Sequence, residues 1–141
     1  MRELARGIHP GALSDGGLAE AVAELAADSP IRVEVVVPSA RFPQAVEAAA
    51  YFICSEALAN AAKYANATRA VVRVEQQDAR VRVVVSDDGV GGADLERGTG
   101  LSGLADRLEA VGGRLQVKSV AGHGTELIAE LPLELPLGFD G

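Results

Sequence analysis

Hydrophobic and polar residues alternate along this chain with two periods, which predicts both strands and helices. Five segments alternate residue by residue, as half-buried strands do: 31–37, 69–76, 79–86, 114–120 and 125–131. Three others repeat apolar residues every three or four positions, as amphipathic helices do: 18–29, 43–65 and 101–111. The predicted order is therefore helix, strand, helix, strand, strand, helix, strand, strand.

Turn residues separate these segments. A tight turn is expected around Gln77-Asp78, and Gly112-Gly113 follows the last apolar position of the third helix, where glycine commonly closes a helix. Residues 87–100 form a glycine-rich loop. Because short turns join consecutive strands in antiparallel pairs, we predict an α+β fold: a two-layer sandwich whose mixed, mostly antiparallel sheet of about five strands is covered on one face by three helices.

The length of 141 residues fits one domain with a substantial core. We expect residues 1–17 to be a linker-like segment, residues 18–132 to form the folded domain, and residues 133–141 to be an extended tail. The chain has no apolar run that could span a membrane and no apolar stretch typical of a secretory signal, which indicates a cytoplasmic domain.

Charge and composition narrow the partners. The net charge of −7 argues against nucleic acid, because neutralising phosphates needs a basic face. The single cysteine, Cys54, excludes an internal disulfide and any multi-cysteine metal site. An acidic protein can still bind a nucleotide when metal ions and backbone N–H groups meet the phosphates.

Three polar side chains interrupt the apolar long helix. Glu56, Asn60 and Lys63 are spaced by four and then three residues, so they share one stripe. One interpretation is a solvated edge on which Glu56 pairs with Lys63. The other is chemical, because an amide oxygen suits Mg²⁺, a carboxylate can orient or deprotonate an attacking group, and a lysine can counter phosphate charge.

A second motif, Ser-Asp-Asp-Gly-Val-Gly-Gly, occupies residues 86–92 directly after a strand. A tight turn in which the aspartate bonds its own backbone explains it without any ligand. Alternatively, the carboxylate of Asp87 reaches into a cavity. Because a carboxylate only accepts hydrogen bonds, it would favour the amino group of adenine over the carbonyl oxygen of guanine.

Two further glycine motifs follow. Residues 98–103, Gly-Thr-Gly-Leu-Ser-Gly, open the third helix and could bind an anion or simply cap the helix. They are not a Walker A loop, since there is no G-K-[ST], and a Rossmann fingerprint is not expected because the flanking strands look antiparallel and a βαβ unit is missing. Residues 122–125, Gly-His-Gly-Thr, precede the last strand and could be an ordinary hairpin turn.

The fixed order of the four motifs changes their interpretation. E-x-x-x-N-x-x-K, D-x-G-x-G, G-x-G-L and G-x-G-T together resemble the N, G1, G2 and GT boxes of the Bergerat-fold (GHKL) ATPases, which include gyrase, Hsp90 chaperones, histidine kinases and MutL repair proteins. Residues 55–65, 98–113 and the opening 2–22 further resemble sensor histidine kinases related to NarX and DegS. The resemblance covers nearly the whole chain.

For the long helix, the resemblance implies that Asn60 binds the Mg²⁺ that bridges the ATP phosphates and that Glu56 positions or activates the accepting imidazole. It implies that Lys63 contacts phosphate. Tyr64 is expected among the nucleotide contacts, although histidine is usual there and the role of its ring is open.

For the glycine motifs, the resemblance implies that Asp87 accepts a hydrogen bond from adenine and that Gly89 and Gly91 let the base and ribose pack closely. Thr125 would support Asp87 or a water bound to adenine, and Gly124 is expected among the nucleotide contacts. Asp88 is interpreted as a turn residue only. The phosphate-side loop would consist of Gly98, Thr99, Gly100 and Leu101.

The implied activity is transfer of the ATP γ-phosphoryl group to a histidine on a separate dimerisation domain of the same kinase, with a LuxR-type response regulator as an indirect partner. Neither His9, beside Pro10, nor His123 fits a phosphorylated histidine, which should lie on a helix before an acidic residue.

Two alternative functions stay open: an anti-sigma-factor-type serine kinase and a non-catalytic nucleotide-sensing module. The sequence of residues 98–113 disfavours the serine kinase, and the presence of both Glu56 and Asn60 disfavours the sensing module.

Overall fold

The computed structural model describes residues 17–63, 67–89, 101–110, 112–119 and 124–134. The helices among them are α1 (Gly17–Ala27), α2 (Gln44–Lys63) and α3 (Leu101–Ala110). The strands are β1 (Arg32–Val36), β2 (Arg69–Gln77), β3 (Arg80–Asp87), β4 (Arg114–Ser119) and β5 (Thr125–Pro132). Both the α+β class and the predicted order of elements are confirmed.

The strands form one sheet in the order β1-β2-β3-β5-β4. β1 pairs with β2 in parallel, and every other neighbouring pair is antiparallel. The β1–α2–β2 connection is therefore a βαβ unit, so the expectation that the chain has none is wrong. The strands that flank the glycine-rich loop, β3 and β4, do not pair with each other but run in the same direction, because β5 lies between them and is antiparallel to both. Local alternation does not report which strands become neighbours.

One face of the sheet forms the core with the helices. Alternate residues of the three central strands are buried on this face and make up a valine- and leucine-rich layer: Val72, Val74, Val81, Val83, Val85, Leu127, Ala129 and Leu131. Leu18 of α1, Ile53 of α2 and Leu108 of α3 pack against this layer. The opposite face carries charged residues, with Glu130 between Arg80 and Arg82 at 3.7 and 4.0 Å. The alternation seen in the strand sequences thus places the apolar residues on the core face of the sheet and the charged residues on the opposite face.

The start of α2 depends on a buried carboxylate that sequence reasoning missed. Glu47 is 3% exposed and accepts hydrogen bonds from Arg41 Nε and Nη2 at 3.0 and 3.2 Å and from the backbone N–H of Phe42 at 3.0 Å. Pro43 has no N–H to offer, and the carboxylate bonds the N–H five residues before it, whereas an ordinary capping box spans three residues. The long helix was interpreted as apolar outside the Glu56 stripe, so this partner set was not anticipated.

Two predicted turns are found in the structure. The N–H of Gly112 donates to Glu109 O at 3.2 Å and the N–H of Gly113 to Leu108 O at 2.7 Å, with Gly112 at φ 87°. This is the Schellman pattern, and it confirms Gly112-Gly113 as the end of α3. The β2–β3 turn consists of Asp78 and Ala79, one residue later than expected, with Asp78 at φ 56°.

The lone cysteine lies deep in the core. Cys54 of α2 is fully buried, and burial raises the pKa of its thiol to about 12. α2 is the longest of the described helices, with 20 residues. None of those helices combines the length and the apolar character that crossing a membrane would require.

Candidate functional site

Asp87 is the last residue of β3, near the middle of the sheet. Its register partners are Ala70 of β2 on one side and Thr125 of β5 on the other. Alternation along β3 buries Val81, Val83 and Val85 and leaves Asp87 only partly buried. The strand therefore delivers one carboxylate to the end of the sheet, where the β3 ladder stops.

The Asp87 carboxylate receives two backbone N–H groups. Oδ1 accepts from Gly89 at 2.8 Å, and the backbone N–H of Thr125 is a second donor. Burial raises the pKa of Asp87, the Asp88 charge adds to that rise, and both N–H groups act in the opposite direction. The bond to Gly89 is the local turn that the sequence offered as an alternative. An ionised carboxylate has about four acceptor positions, so two donors leave capacity for a ligand.

Gly124 packs directly on the backbone of Asp87. It is buried, its φ is 87°, and a Cβ at this position would overlap the carbonyl oxygen of Asp87. Any side chain here would have to displace the end of β3 or the start of β5. The glycine of the G-x-G-T motif is thus required by the close approach of the two strands that hold Asp87 and Thr125.

Glu56 and Asn60 lie one turn apart on α2, and both are partly buried. The Asn60 Nδ2 atom is buried and has no hydrogen-bond partner among the described residues. The oxygen and nitrogen of an amide exchange places by a half-turn of the side chain, so this position can equally present an oxygen. An amide oxygen that is not used in a hydrogen bond is a suitable ligand for a hard cation such as Mg²⁺.

A chain of hydrogen bonds connects the end of α2 to the end of β3. The N–H of Ala67 donates to the carbonyl of Ala61, the residue after Asn60, at 3.3 Å. The next residue, Thr68, donates its N–H to Asp88 at 2.8 Å. Asn60 and Asp87 therefore lie at the same end of the sheet, one on the covering helix and one on the strand.

Asp88 contributes more than the turn role assigned to it from the sequence. Its carboxylate accepts the Thr68 N–H at 2.8 Å, the Thr68 hydroxyl at 2.6 Å and the Arg69 N–H at 3.0 Å. The Thr68 hydroxyl, with these two N–H groups, lowers the pKa of Asp88 to about 2. Its interpretation as a turn residue only is wrong. The partners lie 19 and 20 residues away, and no local pattern points to them.

The structure describes the remaining predicted residues in part. Lys63 is the last residue of α2 and Leu101 the first residue of α3. The described segments do not include five predicted contacts: Tyr64, Gly91, Gly98, Thr99 and Gly100. His9 and His123 also lie outside the described residues. The roles of all these residues stay predictions.

Two relatives show how much of a longer protein this chain covers. The signal transduction histidine-protein kinase/phosphatase DegS of Brevibacillus brevis is 33% identical over 96 residues, which cover 66% of this chain and 25% of that protein. UhpB of Salmonella typhimurium, with the same description, is 29% identical over 141 residues, or 94% of this chain and 28% of that protein. The chain thus spans about a quarter of the length of these curated relatives.

Solved structures share the fold. The blue-light activated histidine kinase of Erythrobacter litoralis EL346 matches with a TM-score of 0.66 and 24% identity, covering 84% of this chain and 40% of that one. The ATP-binding domain of PrrB from Mycobacterium tuberculosis matches with a TM-score of 0.58 and 23% identity, covering 84% of this chain and 91% of that one. At these identities the likeness shows the fold alone.

The match to a known family covers the site itself. Residues 45–135 match the family described as histidine kinase-, DNA gyrase B-, and HSP90-like ATPase. This span begins in the first turn of α2 and continues past the end of β5, so it includes Glu56, Asn60, Asp87 and Gly124. The chain belongs to the family of histidine kinase-, DNA gyrase B- and HSP90-like ATPases.

Proposed function

We propose that this chain is the ATP-binding and catalytic domain of a sensor histidine kinase. In this role it donates the γ-phosphoryl group of ATP to a histidine on a separate dimerisation domain. The observation that carries the proposal is that the Asp87 carboxylate and the Glu56–Asn60 stripe of α2 lie at the same end of the sheet. Family membership supports ATP as the ligand, and relatives described as histidine kinases support the acceptor.

Asp87 would select the base. An ionised carboxylate only accepts hydrogen bonds, and this one has acceptor capacity beyond its two backbone donors. The exocyclic amino group of adenine can donate to it, whereas guanine carries a carbonyl oxygen at the same ring position. Gly89, Gly91, Gly124 and Thr125 would form the surroundings in which a flat ring approaches the strand end.

The phosphates would lie towards α2 and the start of α3. Asn60 would supply an amide oxygen to Mg²⁺, an ion that neutralises phosphate charge when bound. Lys63 and Tyr64 would contact the phosphate side from the end of α2. The loop residues Gly98, Thr99, Gly100 and Leu101 would present backbone N–H groups at the N-terminus of α3.

Glu56 would act on the incoming histidine. The imidazole nitrogen forms a bond to the γ-phosphorus while the bond to the β–γ bridging oxygen breaks, and ADP leaves. Glu56 would accept a hydrogen bond from the other ring nitrogen and so hold the attacking lone pair in line. Its partial burial one turn from Asn60 supports this placement.

The accepting histidine would belong to the dimerisation domain of the same kinase, and a LuxR-type response regulator would be the indirect downstream partner. The domain would work in the cytoplasm, and the parent kinase could be anchored in a membrane. These assignments rest on the relatives that the chain matches over part of their length. The net charge of −7 supports a site in which a metal ion adds to Lys63 in neutralising the phosphates.

The direct test is a titration of the chain with ATP in Mg²⁺, repeated with GTP and in EDTA. We expect binding of Mg-ATP that GTP does not displace and that EDTA weakens. The dimerisation helices of the parent kinase, added in trans with labelled ATP, should become phosphorylated in an acid-labile form. An acid-stable phosphoprotein would indicate the serine kinase, and binding without transfer would indicate the nucleotide-sensing module. Equal competition by GTP would remove Asp87 from the adenine site.

A further inference from the structure

We propose that Asp88 is a positioning residue of the nucleotide site: it does not touch ATP but holds the strand end that carries Asp87 in a fixed place relative to the helix end that carries Asn60. This inference rests on the proposed function and adds a residue to it. The sequence assigns Asp88 no role beyond a turn. The structure places it between the two halves of the site.

The first observation is that both carboxylate oxygens of Asp88 are used. Oδ1 accepts the N–H groups of Thr68 and Arg69, at 2.8 and 3.0 Å, and Oδ2 accepts the Thr68 hydroxyl at 2.6 Å. The backbone N–H of Asp88 donates in return to the carbonyl of Arg69 at 3.2 Å. Four hydrogen bonds thus join this residue to a dipeptide 19 to 20 residues earlier in the chain.

The second observation is what that dipeptide is attached to. Thr68 accepts from the N–H of Arg32 at the start of β1, at 3.2 Å. Ala67, which is buried, donates to Ala61 in the last turn of α2 at 3.3 Å. A displacement of Thr68 is therefore transmitted to the helix turn next to Asn60, while a displacement of Asp88 moves its neighbour Asp87.

The third observation, the partners and the exposure of the Asp88 carboxylate, distinguishes a positioning role from ligand binding and from a contribution to global stability. The donors of Asp88 belong to the start of β2, whereas those of Asp87 belong to Gly89 and β5, so the two carboxylates face different partners. Asp88 is also exposed. Hydrogen bonds at an exposed site compete with water and contribute little to global stability. We therefore expect those of Asp88 to act mainly on the position of the strand end that carries Asp87.

The test compares Asp88→Ala with Asp88→Asn. The alanine removes every side-chain acceptor; the asparagine keeps one oxygen for the backbone N–H groups, and the Thr68 hydroxyl can turn to accept from its amide. We expect Asp88→Ala to weaken Mg-ATP binding by about tenfold to a hundredfold, because a small misplacement of binding groups is costly. Discrimination between ATP and GTP should fall as well. In Asp88→Asn, the Mg-ATP affinity and the discrimination between ATP and GTP should both stay within about threefold of the values for the unmodified protein.

A matched control removes the same charge elsewhere. Asp78→Asn alters an exposed aspartate at the opposite end of the β2–β3 hairpin, in a turn conformation that asparagine tolerates. It should change neither ATP affinity nor nucleotide discrimination. Thermal unfolding of every variant shows whether it is folded. If Asp88→Ala fails to fold, Thr68→Val removes one donor alone and should give a smaller loss of affinity in the same direction.

Three outcomes would overturn the inference. Asp88→Ala, or Thr68→Val in its place, could bind ATP with unchanged affinity and discrimination. Asp88→Asn could be as defective as Asp88→Ala, which would make the charge itself a ligand. ATP affinity could fall with discrimination unchanged, which would indicate a general loss of structure. Failure of the unmodified protein to bind Mg-ATP contradicts the proposed function instead, so the two failures are distinguishable.

Discussion

Asp87 and Asp88 are adjacent and chemically identical, yet they meet opposite surroundings. Asp87 is partly buried, and burial raises its pKa despite the N–H groups of Gly89 and Thr125. Asp88 is exposed, and the hydroxyl and N–H groups of Thr68 and Arg69 lower its pKa to about 2. The difference shows that donors and water, rather than residue type, decide what a carboxylate does at this strand end.

The two carboxylates also differ in how many of their hydrogen-bond acceptor positions remain for a ligand. Asp88 has both oxygens engaged by the protein, whereas Asp87 is half-buried, accepts two backbone N–H groups and has acceptor positions to spare. A carboxyl group whose pKa is raised by burial is typical of a ligand-binding site. The pair thus separates a binding carboxylate from a structural one within two residues.

The largest effect should come from Asp87→Asn. We expect Mg-ATP affinity to fall about a hundredfold or more, because the amide can set an NH₂ group against the adenine amino group and leave a buried polar pair unsatisfied. The unfolding free energy at neutral pH should be unchanged or higher, since a partly buried charge is gone. Calorimetric titration and urea unfolding measure the two quantities. A variant that binds ATP normally would erase the contrast with Asp88.

Gly124→Ala should give the next largest effect, with Gly112→Ala as its control. Both glycines have φ 87°, so both substitutions incur about 1–2 kcal/mol of left-handed strain. Only at Gly124 would the new Cβ overlap Asp87, since nothing lies within 4 Å at Gly112. We expect Gly124→Ala to lose a further ~1–3 kcal/mol of unfolding free energy and to weaken ATP binding. Equal losses in urea unfolding, with ATP affinity intact in both, would show that the strand end tolerates the contact.

The smallest effect is a difference in pH dependence. The lowered pKa of Asp88 stabilises the fold above its ordinary value of 3.8, and that contribution disappears as the pH falls towards about 2. The raised pKa of Asp87 has the opposite sign: its ionisation opposes folding at neutral pH, and the opposition disappears on acidification. Asp88→Asn should therefore lower the unfolding free energy at pH 7 and approach the unmodified protein only near pH 2, while Asp87→Asn should approach it from above. Urea unfolding from pH 2 to 7 measures both, and differences of the same sign would contradict the assignment.

Local pattern was enough to predict the elements, because strand alternation, helical spacing and closing glycines each depend on a few neighbouring residues. The end of α3 at Gly112-Gly113 and the buried face of Val81, Val83 and Val85 follow directly from it. The position of β5 between β3 and β4 does not, because pairing order is decided by the whole sheet. The parallel β1–β2 pair was missed for the same reason.

The site divides in the same way. Asp87, Asn60 and Gly124 were predicted as site residues from ordered motifs, since each motif is short and its chemistry is carried by residue type, and their roles towards a ligand stay predictions. Asp88 could not be assigned, because its partners are 19 and 20 residues away and its own motif is equally typical of a turn. Glu47 was missed although Arg41 is only six residues before it, since nothing in its spacing distinguishes a buried acid from a solvated one.

The buried thiol of Cys54 can report how often the core of the native protein opens. With no exposed surface and a pKa of about 12, it can react with a maleimide or a disulfide reagent only in molecules whose core has opened. The labelling rate therefore reports how often the core opens, and no cysteine has to be introduced. A nucleotide that binds only the closed protein would slow the reaction in proportion to its occupancy, so a simple thiol assay could rank ligands for this chain.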